Sequence, residues 1–441
     1  TIRVQEGATV TIDFKNDTDL PAALHSHGVR MENRFDGAPP VTQKETPPGG
    51  SFEYTLMFPD PGVFWYHPHV AEVYEQPLGL YGAFMVVPDD PGYYPPVNRE
   101  ELVFLSDIPI ENGEIALTKD GNDHSLMGHY GNTLLVNGEE RYLLQANEGE
   151  VVRFDFVNAA NARPFNVAIS GARMKLIGAD NGAYEKASWV DGVTLSPSER
   201  AIVDVSFSEA GVYELLNKTP EKTYSLGAIT VGSETAEPSY AAEFETLQTS
   251  AAALASIEPF RRYFGKAPDK RLTLTVDMTG MMGGMSGMQG AHMMSDGTMM
   301  GGMMMAKSPD GIEWEDDMAM MNAVSTTDNT AWHLVDETTG KKDMDIEWNV
   351  PKGTPTVVEI YNDPGSAHPM QHPIHFHGQR FLIVSRDGVS ETNLAWKDTV
   401  LVKTGERVRV LLDASNPGAW MAHCHIAEHL AAGMMTVFTV Q

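Results

Sequence analysis

The sequence predicts an all-β protein made of three antiparallel β-sandwiches. Two observations carry the prediction: apolar and polar residues alternate with a period of two, and the alternating segments recur as three sets of internal echoes. The first set is TIRVQEGATVTIDFKND from Thr1, YLLQANEGEVVRFDFVNAA from Tyr142 and WNVPKGTPTVVEIYNDP from Trp348. Each is a short strand, a turn with glycine, and an alternating strand that ends near asparagine. The second set is GGSFEYTLMFPDPGVFWYHPH, SPSERAIVDVSFSEAGVYELLN and KTGERVRVLLDASNPGAWMAHCH, where two alternating strands flank a turn carrying Gly62, Gly211 or Gly418. The third set closes each unit on an apolar strand: GAFMVVP, GAITVG and GMMTVFTV.

These echoes divide the chain into a first sandwich at residues 1–98, a second at 99–236, a connection at 237–267 and a third sandwich at 268–441. The connection, AAEFETLQTSAAALASIEPFRRYF, is the one stretch with a helical pattern. The first copy opens abruptly within a strand, which suggests a trimmed N-terminus, and no leader is visible. One segment is low in complexity. Residues 278–305 hold 12 of the chain's 25 methionines among glycines, with no steady helical or strand period, and read as a loop of the third sandwich.

A chain of 441 residues is too long for one ordinary core. No apolar run reaches the ~18 residues of a membrane-spanning helix. The formal net charge of −29 argues against nucleic acid, whose phosphates would be repelled, and leaves cationic substrates free to approach. A single cysteine, Cys424, excludes an intrachain disulfide. It is buried filler, a nucleophile or a ligand.

The histidines decide among these. Ten of the 15 fall into four clusters: His25 and His27; His67 and His69; His372, His375 and His377; and His423 and His425 with His429. All lie in the first and third copies, and the second has Leu215 to Asn217 where the others have HPH and HCH. On an extended strand, residues i and i+2 share a face. Each His-x-His pair therefore presents two imidazoles together, and four pairs can converge where copies one and three meet. Alternation sends Cys424 to the opposite face, where His429, His372 and Met434 can join it. Two imidazoles, a thiolate and a weak axial thioether are the ligand set of an electron-transfer copper.

HSHG, HPH, HPIHFHG and HCHIAEHLAAGM resemble the four copper motifs of the three-domain, laccase-like multicopper oxidases, in the family's order and domains, over nearly the whole chain. The resemblance implies three cupredoxin-like Greek-key β-sandwich domains and four copper ions, one type 1, one type 2 and two type 3. By position, His372, Cys424, His429 and Met434 would hold the type 1 copper. His25 and His375 would hold type 2, and His27, His67, His69, His377, His423 and His425 the type 3 pair. Asp36, nine residues past His27, matches the acid that supplies protons in relatives. One position departs from the bacterial pattern: Leu430 stands where many relatives have glutamate, and Glu428 is expected to point elsewhere.

The resemblance implies dioxygen reduction to water, with one-electron oxidation of phenolic or aromatic-amine donors at the type 1 edge near His429. A coordinating Met434 would keep the reduction potential modest and suit easily oxidised donors. A second reading is a cuprous oxidase, because the thioethers of the methionine-rich loop favour Cu(I). A third, a copper-binding scaffold without catalysis, conflicts with the complete ligand set. Export to the periplasm or the medium follows from the resemblance alone. The other histidines, His124, His129, His292, His333 and His368, belong to no motif and are expected at the surface or in hydrogen bonds.

Overall fold

The computed structural model describes residues 1–279 and 310–441, with the backbone of 292–293 and 299–300. The methionine-rich loop expected over 278–305 therefore lies outside the described residues, apart from Met278, which ends the strand Lys270–Met278, and two short paired strands, His292–Met293 and Met299–Met300.

The echoes correspond to a repeated topology. In the third domain one sheet runs Thr330–Asp336, Lys270–Met278, Thr356–Asn362, Arg407–Asp413, Arg380–Arg386, Val389–Ser390. Its facing sheet runs Trp348–Val350, Met435–Val440, Gly418–Cys424, His372–Phe376, Thr399–Val402. The second domain repeats both sheets strand for strand, from Thr133–Val136 to Gly182–Val190 and from Tyr142–Glu148 to Val193–Leu195. The first keeps a shorter set: a sheet of Ile2–Gln5, Gly82–Val87, Gly62–Pro68 and Leu24–His27, and the pair Thr9–Lys15 with Ser51–Met57. In every copy the opening strand of the echo lies parallel to the closing one, Ile2 beside Phe84, Tyr142 beside Gly227 and Trp348 beside Phe438.

Burial follows the alternation. Thr330–Asp336 and Met435–Val440 alternate buried and half-buried positions, as strands with one face on a core must. Glu150–Asn158 is buried along its whole length. The second domain has its own apolar core around Val103, Phe154, Phe165 and Val203. The first and third share one, joining Tyr54, Phe64 and Phe84 to Leu274, Trp420 and Phe438. That shared core fixes the junction at which the histidines meet.

The connection is helical at Ala241–Glu245 and Ala251–Ile257, followed by a 3₁₀ turn at Glu258–Tyr263. The Ser250 side chain caps the second helix by accepting the Ala253 N–H. Ile257, Phe260 and Phe264 then pack on Leu382, Trp396 and Leu411 of the third domain.

Within Glu150–Asn158, burial pushes the Asp155 carboxyl up to about 8. A carboxyl that is harder to ionise when folded binds its proton more tightly in the native state. Stability therefore falls as pH rises from the unfolded value of about 4 towards 8, then levels off. Asp155→Asn removes this dependence. The variant is expected to lose less of its thermal midpoint than the parent between pH 5 and pH 8, measured by thermal unfolding at the two pH values. Equal losses would mean that Asp155 is ionised in the native protein at both.

Candidate metal centre

Strand register brings the motifs together. Leu24–His27 pairs with Gly62–Pro68, setting His25 opposite His67, and the His69 N–H extends the pairing to the Ala23 carbonyl at 3.0 Å. In the third domain His372–Phe376 pairs with Gly418–Cys424, setting His375 opposite His423 and Ile374 opposite Cys424. Cross-strand partners share a face, so the sheet sends His375 and His423 one way and Cys424 the other. Two glycines permit the close approach. At Gly37 (φ +77°) a Cβ would lie 2.0 Å from the Leu24 carbonyl oxygen, and at Gly28 (φ +81°) 2.2 Å from an Asp398 carboxylate oxygen.

Eight histidines, four from each domain, form one buried cluster. The His27 and His375 rings stack at 3.7 Å, His25 lies 4.1 Å from His377, and His67 and His27 each lie 5.0 Å from His425. His69 and His423 are 5.5 Å apart. Burial, reinforced by neighbouring imidazoles, holds most of these rings far below the usual histidine range, and burial brings His423 to about 4. They are neutral at physiological pH, with lone pairs available.

The outer nitrogens are tied to fixed acceptors. His25 Nδ1 donates to the Asp36 carbonyl (2.6 Å), His67 Nδ1 to the Pro68 carbonyl (2.8 Å), His375 Nδ1 to the Asp398 carbonyl (2.8 Å) and His27 Nε2 to the Asp398 carboxylate (2.9 Å). Their other nitrogens, His25 Nε2, His67 Nε2, His375 Nε2 and His27 Nδ1, are buried without a hydrogen-bond partner among the described residues, as is His69 Nε2. The sharpest case is His377 and His423. His377 Nδ1 donates to the Asp36 carboxylate (2.9 Å) and His423 Nδ1 to the Cys424 carbonyl (2.8 Å), so both Nε2 atoms present lone pairs, yet they lie 2.9 Å apart. Two lone pairs at that distance suit a cation that both nitrogens can bind. The donor set fits a metal cluster, with each ring oriented from behind.

On the opposite face, Cys424 Sγ lies 3.6 Å from His372 Nδ1 and 3.7 Å from His429 Nδ1, and the two nitrogens are 3.2 Å apart. His429 comes from the helix Ala427–Ala431. The turn closes through Met434, whose N–H donates to the His429 carbonyl and whose carbonyl accepts the Cys424 N–H. Met434 is fully buried beside this group.

The His429 edge differs from expectation. A phenol was expected to approach it, but His429 is fully buried. Its Nε2 donates to the Leu126 carbonyl (3.3 Å), and the Trp332 ring stacks on it at 4.2 Å. The covering segment comes from the second domain and is pinned by the third. Leu126 N–H donates to Ser325 Oγ, Met127 N–H to Asn322 Oδ1, and Trp332 Nε1 to the Ser125 carbonyl. No motif in the sequence signalled this cover.

Asp36 is fully buried and burial raises its carboxyl to about 6, while its oxygen holds His377. Glu428 accepts from His129 Nδ1 (2.6 Å) and Asn161 Nδ2 (3.2 Å). Sequence reasoning missed Glu72, buried, 3.3 Å from His69 Nδ1, with its carboxyl pushed up to about 8 by burial and by Glu428. Glu72, His69, Leu430 and Met435 line a cavity of 480 Å³ that opens beside the histidine cluster. It also missed Arg200 of the second domain, whose guanidinium clasps both Asp398 oxygens (2.7 and 2.5 Å). The second domain, expected to be a spacer, thus reaches both centres without a ligand histidine. Of the five unassigned histidines, His129 and His333 are hydrogen-bonded and His124 is partly exposed. His368 is buried with neither nitrogen partnered among the described residues, and the His292 side chain lies outside them.

Comparison with known proteins agrees with this geometry. Three multicopper oxidase family models match residues 1–91, 110–236 and 315–441. The multicopper oxidase MmcO of Mycobacterium tuberculosis is 26% identical, covering 99% of this chain and 80% of its own. Laccase-1 of Fomitopsis schrenkii is 24% identical over 96% of this chain and 77% of its own. The solved multicopper oxidase of Campylobacter jejuni, described as a metallo-oxidase, superposes with a TM-score of 0.73 at 23% identity, covering all of this chain and 84% of that one. Sequence motifs, a thrice-used sandwich and family models along the chain agree: the protein belongs to the multicopper oxidase family and is a copper-dependent oxidoreductase.

Proposed function

We propose that the protein oxidises small one-electron donors at the Cys424 site and reduces dioxygen to water at the histidine cluster. His372, Cys424, His429 and Met434 would hold a type 1 copper, His25 and His375 a type 2 copper, and His27, His67, His69, His377, His423 and His425 a type 3 pair. Bound copper would supply the redox chemistry, accepting single electrons at the sulfur site and delivering four to dioxygen at the cluster. The observation that carries the reading is the position of Cys424. Its Sγ sits with His372 and His429, while its backbone neighbours His423 and His425 face the eight-histidine cluster. One strand end therefore links the two centres covalently.

The chain's own residues do the rest. Asp36 orients His25 through its carbonyl and His377 through its carboxylate, and is the acid beside the cluster. Asp398 orients His27 and His375. The cavity beside His69 gives dioxygen a way in, and burial of the histidines keeps bulk water out. Work in the periplasm or the medium belongs to the same reading.

Between the donors, the burial of His429 favours Cu(I) over phenols and aromatic amines. A flat ring cannot contact an imidazole already covered by Leu126 and Trp332, whereas a metal ion can act from outside the cover. The methionine-rich segment 278–305 supports the same donor by its chemistry. Oxygen uptake by the copper-loaded protein, with Cu(I) or dimethoxyphenol as sole donor, tests this. We expect kcat/KM for Cu(I) to exceed that for the phenol by about tenfold or more, a difference of about 1.4 kcal/mol in barrier. Faster phenol turnover would make the protein a laccase whose cover moves aside.

A further inference from the structure

Asp123, His124 and His129 lie outside both centres, on the segment that covers His429. His124 Nδ1 is 3.3 Å from Asp123 Oδ2, and His129 Nε2 is 3.7 Å from Asp123 Oδ1. The two imidazole centroids are 4.2 Å apart, with the rings tilted by 36°. His129 is almost fully buried, and its Nε2 has no hydrogen-bond partner among the described residues. Its Nδ1 is fixed by Glu428 at 2.6 Å. This carboxylate–imidazole arrangement leaves the buried Nε2 facing the Asp123 carboxylate, with its ring oriented from behind as in histidines that ligate metals. Thr118 Oγ1 donates to Asp123 Oδ1 at 3.0 Å, orienting the carboxylate in turn.

The geometry is built rather than incidental. His124 holds a left-handed backbone (φ +55°), an unfavourable conformation for a residue with a side chain. The turn is closed by the Gly128 N–H on the His124 carbonyl, and its far side is pinned to Ser325 and Asn322. Each imidazole nitrogen lies 3.3 or 3.7 Å from its own oxygen of the Asp123 carboxylate, close to the donor spacing around a metal held at about 2.0–2.1 Å. Asp123 and His124 are each more than a quarter exposed, so an ion can enter from solvent.

We propose that Asp123, His124 and His129 form a docking site for copper as electron donor, which binds as Cu(I) and leaves as Cu(II). The inference rests on the Cu(I) reading above. Two imidazoles and a carboxylate are harder than thioethers and favour the divalent product, so binding here promotes loss of the electron. Each Cu(I) gives one electron to the Cys424 site, and four such events match the reduction of one dioxygen with four protons. Two short routes lead inward: His129 to Glu428, the residue before His429, and the main chain from His124 to Leu126, whose carbonyl holds the His429 ring. The net charge of −29 draws cations to the surface.

The test uses the copper-loaded protein and His124→Asn, because asparagine tolerates the left-handed backbone. Asp123→Asn is the second variant. Cu(II) added beyond the resident copper is followed by electron paramagnetic resonance, and Cu(I) and dimethoxyphenol turnover by oxygen uptake. The parent should take up one further Cu(II) with nitrogen couplings. Both variants should lose that signal and lose about tenfold in kcat/KM for Cu(I), with phenol turnover and blue colour unchanged. An equal extra signal in parent and variants would overturn the site, and its loss without change in Cu(I) turnover would overturn the donor role. Failure of the Cu(I) reading looks different: the parent itself would turn over Cu(I) more slowly than the phenol.

Discussion

Cys424→Ser is expected to abolish the blue colour and lower oxygen uptake by on the order of 10³-fold, the equivalent of about 4 kcal/mol on the barrier, with every reducing donor. The sulfur is the vertex of a triangle with His372 Nδ1 and His429 Nδ1, and it is the one thiolate donor the chain can offer there. A serine oxygen is harder, shorter in reach and a poor partner for an electron-accepting copper. The fold should survive. The serine hydroxyl can accept the Ile426 N–H that Sγ accepts at 3.5 Å, so the expected cost is about 1–2 kcal/mol. His423 remains on its strand and His425 just past the strand's end, and copper at the histidine cluster should be retained. Metal analysis, visible absorption and oxygen uptake of the same preparation check all three statements. A variant that stayed blue and active would remove Cys424 from the centre and the proposed electron path with it.

Much of this was legible because β-strands have a strict period. His-x-His on a strand states that two rings share a face, and HCH states that the cysteine does not. The three echoes likewise give the repeated sandwich, since turn glycines and alternation are local properties of the chain. What was illegible depends on contacts between domains. Arg200 sits in a copy without histidine motifs, and nothing near it in sequence mentions His27. Leu126 acts through a carbonyl, which every residue possesses. Glu72 follows HPH by three residues, a helical spacing after a strand, and period-two reasoning stops at the strand end. The cover over His429 combines all of these: a main-chain oxygen from one domain, a tryptophan from another, and side-chain anchors at Asn322 and Ser325.

Arg200→Met is expected to have the second largest effect, and on stability and metal together. The guanidinium is fully buried and binds all three domains: Nε donates to the Val63 carbonyl (2.9 Å), Nη1 to the Ser198 carbonyl (3.0 Å), and both Nη atoms to the Asp398 carboxylate. Methionine fills similar space but leaves Asp398 as an unpaired buried carboxylate, which costs about 3–5 kcal/mol. For a chain of this size that corresponds to a fall of roughly 3–5 °C in the thermal midpoint. The functional loss follows from the same atom. Asp398 Oδ1 fixes the His27 tautomer through Nε2, and once the carboxylate swings away, His27 Nδ1 is no longer held toward the cluster. Copper at the histidine cluster should drop while the blue colour persists, because the Cys424 site shares no contact with Arg200. Donors would still reduce that site, and oxygen uptake would fail. Arg200→Lys keeps one charge and loses the two-pronged clasp, so it should fall between parent and Arg200→Met. If Arg200→Met keeps full copper and parental oxygen uptake, then Thr399 and the backbone suffice to hold Asp398, and Arg200 contributes no orientation to the cluster.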